Sequence, residues 1–462
     1  MKYKYIISIV LINFLLSLFF LNDMITFDGT YYIRYFNGDN SWIASFPFGY
    51  PLIISFFKLF IADEVLAASF AVALFGSMLL VPLSQILIHL FDKKIGLLLL
   101  LVAAFNPVVL YYSSATYSEM PFLFFLMFSL WMYYKDKQFL AVLFASVSYL
   151  IRPEGLIFAV AYVIIFIIRD RKWKGLLCAT LLSVLLLFAI ENHSRNDEWS
   201  ISSKTSNISL FKVDDWRMNE VTRHSNDTPT IKELAQNLIE QYPKRLLIQL
   251  DMIKTASTLP LVAIGLIGLL LRVNILWLFI LQLLLTPLSG MNPSLRFGLP
   301  YFYALLIGSG FILRRNHKSA ITFVVFIGIF FVPNLKYLSQ PALIDSDFSY
   351  IECKEVGQFL KGSMPEDAII MDRKPYITFY SNAGKYIEIP TGSINDVFLS
   401  IRKNDVDYLV LSERVIRIFR PNLILLLTID EQSVQPYLTT VYYDMDINKG
   451  FGTRIYRINK EK

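Results

Sequence analysis

Charge is scarce in this chain. Of its 462 residues only 17% are charged, where a soluble chain carries roughly 25%. Cysteine is scarcer: Cys178 sits inside an apolar run and Cys353 lies far from it, so neither a disulfide framework nor a cysteine zinc site is indicated. The histidines His89, His193, His224 and His317 are scattered, without HExxH or another metal spacing. Phosphate-cradling glycine loops, internal repeats and low-complexity segments are missing too. What is abundant is apolar: 55% hydrophobic residues, with 38 Phe and 26 Tyr. That balance rules out a disordered, collagenous or nucleic-acid-binding protein despite a formal charge of +6, and points to a polytopic membrane protein.

Apolar runs of about 20 residues are long enough to cross about 30 Å of hydrocarbon as helix. The first, Tyr5 to Leu21 behind Lys2 and Lys4, reads as a retained signal anchor, because Asn22-Asp23-Met24 is a poor cleavage site. Further runs lie near 65–90, 95–112, 121–134, 139–151, 156–168, 175–190, 255–271, 275–288, 298–313 and 320–333, giving eleven expected spans. Those at 121–134, 139–151, 156–168 and 320–333 are short enough for tilted, part-depth or re-entrant segments.

Orientation follows from the loops. Lys2/Lys4, Asp92–Lys94, Lys135–Lys137, Arg169–Lys174, Arg272 and Arg314–Lys318 hold 14 Lys/Arg against the acids Asp92, Asp136 and Asp170. All fall on one side if the spans alternate, so the positive-inside rule puts the N-terminus in the cytoplasm and the C-terminus outside. The external mass is then residues 23–64, residues 191–254 and the tail 336–462. Leu52–Ile61 is too short to span and is expected at the interface, and Ile231 to about Lys254 is expected to be helical. In the tail, helical patterns at Ile351–Lys361 and Ile394–Lys403 alternate with strand patterns at Ala368–Met371 and Asp407–Leu411. Val441–Asp444 and Thr453–Ile458 close it as strands, which predicts a small external α/β domain.

A charge near the bilayer centre costs roughly 2.5–3.5 kcal/mol even on insertion scales, so ionisable residues at the span ends are informative. Asp28 follows the first span, Glu119 precedes the fourth, Arg152 and Glu154 lie between the short fifth and sixth runs, and Arg296 precedes the tenth. Each has an ordinary reading: a solvated helix end, a helix-dipole charge, a local pair, a snorkelling arginine. Together, carboxylates able to act as bases and arginines able to hold phosphate suit a lipid-phosphate substrate. Asp345-Ser346-Asp347 and Asp214-Asp215-Trp216 read as solvated charges, and the sequons at Asn192, Asn207 and Asn226 as chance matches in a polar loop.

The chain resembles the GT-C superfamily of polyprenyl-phosphate-sugar-dependent glycosyltransferases, in the branch around protein O-mannosyltransferases and the lipid A aminoarabinose transferase. The resemblance rests on Phe27-Asp28-Gly29-Thr30-Tyr31-Tyr32, Phe46-Pro47-Phe48-Gly49-Tyr50-Pro51, Asn106-Pro107, Tyr112-Ser113, Ser118-Glu119-Met120-Pro121-Phe122, Arg152-Pro153-Glu154-Gly155 and Arg296-Phe297-Gly298-Leu299-Pro300. It covers about residues 1–335, with the tail like the α/β domains appended to bacterial members. Where that family often has paired Asp-Glu, this chain has Asp28-Gly29, and the Trp-Trp-Asp-Tyr-Gly motif of oligosaccharyltransferases is missing.

The resemblance implies a polytopic GT-C-like domain in the cell membrane, residues 1–335, and sugar transfer outside the membrane with inversion. The donor it implies is a polyprenyl-phosphate-linked sugar, the acceptor a lipid, glycan or protein, with a divalent metal ion left open and no nucleic acid involved. Asp28 is then the general base, Glu119 shares that role or positions the acceptor, and Arg296 and Arg152 bind the donor phosphate. Tyr31, Tyr32, Tyr50 and Glu154 line the substrate cavity. A transporter or flippase of lipid-linked sugars is the alternative, with a polymerase or ligase using diphosphate-linked donors beside it. The former lacks the expected two-fold repeat, and Asp28 with Phe46–Pro51 speaks against the latter. An eleven-span anchor is excessive for a mere scaffold.

Overall fold

The apolar runs form helices, and prolines and asparagines decide where they break. The structure, a computed structural model, describes residues 2–22, 24–36, 46–169, 174–196, 199, 201, 231–272, 275–289, 294–314, 316–343, 350–390, 392–434, 436–444 and 452–460. Asp345-Ser346-Asp347, Asp214-Asp215-Trp216 and the sequons at Asn207 and Asn226 lie outside them. The chain divides into two compact units, a helical one holding almost all described residues before 344 and a smaller one holding the tail from 350.

The helical unit runs through α1 (Lys2–Phe19), α2 (Phe27–Arg34), α3 (Gly49–Lys58), α4 (Glu64–Met78), α5 (Leu80–Leu90), α6 (Lys93–Ala104), α7 (Pro107–Ser113), α8 (Glu119–Tyr134) and α9 (Gln138–Ile151). It continues with α10 (Gly155–Arg169), α11 (Lys174–Asn196), α12 (Ile231–Ser257), α13 (Leu259–Leu270), α14 (Trp277–Leu285), a 3-10 turn at Leu295–Gly298, α15 (Leu299–Leu313) and α16 (His317–Phe331). Short polar side chains start several of them. Asp63 accepts from the Leu66 N–H at 2.8 Å and Asp92 from the Lys94 N–H at 2.8 Å, each meeting orphan donors of a first turn.

Among the described residues four helices are long and apolar enough to cross a membrane, Glu64–Leu90, Lys174–Arg195, Leu295–Leu313 and His317–Ser339, or six if each bent pair is one span. The expected run 95–112 is such a pair, bent by 60° between α6 and α7. The expected run 255–271 is interrupted at Thr258, where Ile239–Ser257 and Leu259–Leu270 meet at 106°. Prolines at both places remove a ladder donor: Pro107 opens α7 and Pro260 lies in the first turn of α13. The runs at 121–134, 139–151 and 156–168 become α8, α9 and α10 of 16, 14 and 15 residues, or about 21–24 Å. Asn192 lies in α11 and is 9% exposed, so that sequon is in a helix and not in the expected polar loop.

Small residues let two helices close up. A Cβ on Gly268 of α13 would stand 1.9 Å from the Gly308 carbonyl oxygen of α15, and one on Gly265 would stand 2.4 Å from that of Leu305. Backbone meets backbone there, as small residues allow in apolar surroundings.

The tail is an α/β unit with α17 (Ile351–Leu360), β1 (Ile369–Asp372), α18 (Tyr376–Ser381), β2 (Lys385–Glu388), α19 (Ile394–Lys403), β3 (Tyr408–Ser412), α20 (Glu413–Phe419), β4 (Leu438–Asp444) and β5 (Thr453–Ile458). The sheet order is β2-β1-β3-β5-β4. β1 pairs in parallel with β2 (Ile369↔Lys385) and β3 (Ile370↔Tyr408), while β5 runs antiparallel to β3 (Leu409↔Tyr456) and β4. Met371, Val397, Ile401, Leu409, Leu411, Ile416 and Tyr456 form its core. Asp28, Glu119, Arg152, Glu154 and Arg296 all belong to the helical unit.

Candidate active site

The site is built on short loops pinned by threonines. The Thr26 N–H donates to Thr116 Oγ1 at 3.1 Å, Thr26 Oγ1 donates to the Thr116 carbonyl at 3.0 Å, and the Gly29 N–H donates back to Thr26 Oγ1 at 2.9 Å. This stitches the start of α2, with Asp28 in its first turn, to the loop before α8, whose first residue is Glu119. Only glycine fits at 29, because a Cβ there would stand 2.4 Å from Thr116 Oγ1. Arg152 closes α9 as its C-cap. Arg296 stands on the 3-10 turn Leu295–Gly298, which rests on α12: a Cβ on Gly298 would stand 2.9 Å from the Met252 carbonyl oxygen.

These loops bring the charged residues into one chain of ion pairs. Arg296 Nη1 donates to Asp28 Oδ2, and Arg296 Nε stands 3.6 Å from Glu119 Oε1. The same Glu119 oxygen accepts from Arg152 Nη1, and Arg152 Nη2 donates to Glu154 Oε1 at 2.9 Å. Glu119 is the innermost, its side chain 3% exposed against 13% for Asp28 and 19% for Arg296. Burial of charge on this scale holds only where each ion is paired, as here. Phe297 lies beside both guanidiniums, 5.4 Å from Arg152 Cζ and 5.5 Å from Arg296 Cζ, and Tyr117 lies 5.1 Å from the latter.

Of the expected cavity tyrosines, Tyr32 reaches the network, donating to Ser118 Oγ at 3.1 Å, and Arg152 Nη1 donates to the same oxygen at 3.4 Å. Burial first, then the charges of Asp28 and Glu119, pushes the Tyr32 hydroxyl above its ordinary range, so it stays a donor. Tyr31 packs on Phe27 with ring centroids 5.1 Å apart. Tyr50 has no exposed surface, donates to the Ala68 carbonyl at 3.4 Å and packs behind Tyr32, with rings 4.8 Å apart; it therefore supports the site from behind and lines no open wall. Gln282, Thr286 and Tyr301 join Glu119, Arg152, Glu154 and Arg296 around a narrow cavity.

No protein-family model and no curated protein matches the sequence. Solved structures do. The chain is similar to the oligosaccharyltransferase of Archaeoglobus fulgidus in complex with zinc and sulfate, with a TM-score of 0.55 and 12% identity over 97% of this chain and 72% of that one. It is similar to ArnT from Cupriavidus metallidurans bound to undecaprenyl phosphate, with a TM-score of 0.54 and 12% identity over 99% of this chain and 98% of that one. The fold is GT-C.

Within this GT-C fold the sequence-expected Asp28, Glu119, Arg152, Glu154 and Arg296 come together, although they come from four separate segments, Arg152 and Glu154 sharing one. Glu119 is a second carboxylate beside Arg296, next to Asp28. Among the described residues no group of three His, Cys, Asp or Glu converges on a metal position. One oxygen of each of the three carboxylates faces a guanidinium, while Glu119 Oε2 is buried and makes no hydrogen bond to the described residues. Sequence reasoning missed the Thr26–Thr116 stitch and the polar wall of Gln282, Thr286 and Tyr301. Neither carries a one-dimensional signal: Thr26 and Thr116 lie 90 positions apart, and Gln282, Thr286 and Tyr301, though near one another in the chain, lie more than 100 positions beyond Glu119, Arg152 and Glu154.

Proposed function

We propose that this chain is a membrane glycosyltransferase that moves a sugar from a polyprenyl-phosphate donor to an acceptor hydroxyl. The observation that carries the reading is the ion-pair chain Asp28–Arg296–Glu119–Arg152–Glu154, drawn from separate loops of a GT-C fold. The relative in complex with undecaprenyl phosphate supports a lipid-phosphate ligand. Residues 1–335 form the catalytic domain and 336–462 an external domain; the spans alternate from a cytoplasmic N-terminus, and transfer takes place on the external face.

Asp28 is the general base. It takes the proton of the acceptor hydroxyl as that oxygen attacks the anomeric carbon from the face opposite the phosphate, so the configuration inverts. The bond from the anomeric carbon to the phosphate oxygen breaks, and polyprenyl phosphate leaves with the electron pair. Arg296 and Arg152 bind that phosphate and stabilise its developing charge, with Phe297 and Tyr117 limiting water around them. Glu119 holds the two arginines at a fixed spacing and positions the acceptor. Tyr31, Tyr32 and Glu154 bound the substrate cavity.

The test is binding of undecaprenyl phosphate to the purified protein in nanodiscs, read by intrinsic fluorescence. Saturable binding that Arg296→Ala weakens at least tenfold supports the phosphate role. Equal binding by both proteins removes it.

A further inference from the structure

Two broken helices in the helical unit each leave backbone carbonyls without a helical donor, and asparagine amides fill the vacancies. At the first break Asn13 Nδ2 donates to the Ala104 carbonyl at 2.7 Å and receives Ser77 Oγ on its own oxygen at 2.9 Å. At the second, Asn334 Nδ2 donates to the Thr255 carbonyl at 3.1 Å. The Ala256 carbonyl would look four residues ahead to Pro260, which has no N–H. Its donor is Asn106 Nδ2, at 2.9 Å.

Asn106 serves the other break at the same time. Its Oδ1 accepts from the Val108 N–H at 2.8 Å and the Val109 N–H at 3.4 Å, starting α7. It has no exposed surface. One side chain therefore ties the start of α7 to the end of α12. α7 leads into the loop with Thr116 and Ser118 that holds Asp28 and Glu119, and the end of α12 carries the turn bearing Arg296. The second break is also strained: Thr258, a β-branched residue, has φ +69°. Such a conformation persists only where its surroundings impose it.

We infer that Asn106 is a positioning residue that sets the spacing of Arg296 against Asp28 and Glu119 by joining the two helix breaks. Its functional weight rests on the phosphate-binding reading; the mechanical link does not. Asn106 shares no partner with Arg296 among the described residues, so independent roles would give additive effects.

The test is a double-mutant cycle on the full-length protein in detergent, scored without ligand by the apparent unfolding midpoint. Arg296→Ala breaks the pair with Asp28 and lowers the midpoint. In an Asn106→Ala background the same change is expected to lower it by less than half as much, because the pair is already misaligned. Asn106→Ser, which keeps a capping acceptor, stands in if the alanine variant does not fold. Asn13→Ala, which removes one amide at the first break alone, is expected to add independently to Arg296→Ala. Equal Arg296→Ala shifts with and without Asn106, or the same coupling from Asn13, overturn the inference. Undecaprenyl phosphate binding is then measured separately: its absence from the unmodified protein counts against the phosphate reading and leaves the cycle intact. Should the protein bind it, Asn106→Ala is expected to weaken binding about as much as Arg296→Ala does, and an unchanged affinity denies Asn106 a role in binding.

Discussion

Arg296 donates to the carboxylate of Asp28 across 268 positions of sequence, and the same guanidinium stands 3.6 Å from Glu119. Two carboxylates on different loops thus share one arginine, which fixes both the proposed base and the proposed phosphate ligand. A lysine keeps the charge but not the planar fork that spans two acids. Arg296→Lys is therefore expected to raise the donor KM about tenfold and to lower kcat as well, since the same group stabilises the leaving phosphate. Steady-state kinetics with varied donor check this, and an unchanged KM contradicts it.

Glu119 is the hinge of the ion-pair chain. Its Oε1 receives Arg152 and faces Arg296, so removing the carboxylate leaves each buried guanidinium with one acid, Glu154 for Arg152 and Asp28 for Arg296. Glu119→Ala is expected to lower stability, but by less than the about 3–5 kcal/mol of a buried charge left wholly unpaired. Replacing Glu119 and Arg152 together by Leu and Met is expected to recover part of that loss. Denaturant unfolding of the single and double variants reads both; a double variant no more stable than the single one contradicts it.

Gly29 sits where α2 touches the Thr116 loop, with room for hydrogen only. Gly29→Ala is expected to push α2 away from the loop, lowering both the unfolding midpoint and turnover. Adding Thr116→Ala, which removes the nearest of the three atoms the methyl meets, is expected to restore part of the stability. Thermal unfolding of the pair of variants decides it, and a Gly29→Ala protein as stable as the parent shows that the contact yields without cost.

Much of this site was legible in the sequence because charge is rare there. Asp28, Glu119, Arg152, Glu154 and Arg296 stood out against apolar surroundings, and all of them converge. Helix type was legible for the same reason, but helix continuity was not. Thr258 and Pro107 break runs whose hydropathy is unbroken, since hydropathy records side chains and the breaks arise in the backbone. In the tail, α19 and β5 match their expected ranges, whereas β2 was missed because Lys385-Tyr386-Ile387-Glu388 places charges at both ends of a very short strand. α18 was missed as well, since Tyr376–Ser381 is aromatic and β-branched in composition and its ring-bearing side chains are held by tertiary packing.

Asp372 gives the tail a pH dependence. Burial raises its carboxyl to about 8, against the N–H donors of Arg373 and Lys374, which lower it. The folded state then binds a proton that the unfolded chain releases near pH 4. Its contribution is full below that point and is lost as pH rises towards about 8, so stability falls across this window. Asp372→Asn is expected to flatten that slope and to stabilise the protein most at the alkaline end. Unfolding midpoints of the full-length protein across the window test the sign, and a slope unchanged by the substitution contradicts it.

The most direct measurement is sugar transfer by Asp28→Asn in proteoliposomes, assayed with a panel of undecaprenyl-phosphate-linked sugars alongside undecaprenyl phosphate binding. Asp28 as general base requires turnover to fall by about two to four orders of magnitude, with the fold retained and the lipid phosphate still bound. Full turnover in Asp28→Asn, on a donor that the unmodified protein uses, contradicts it.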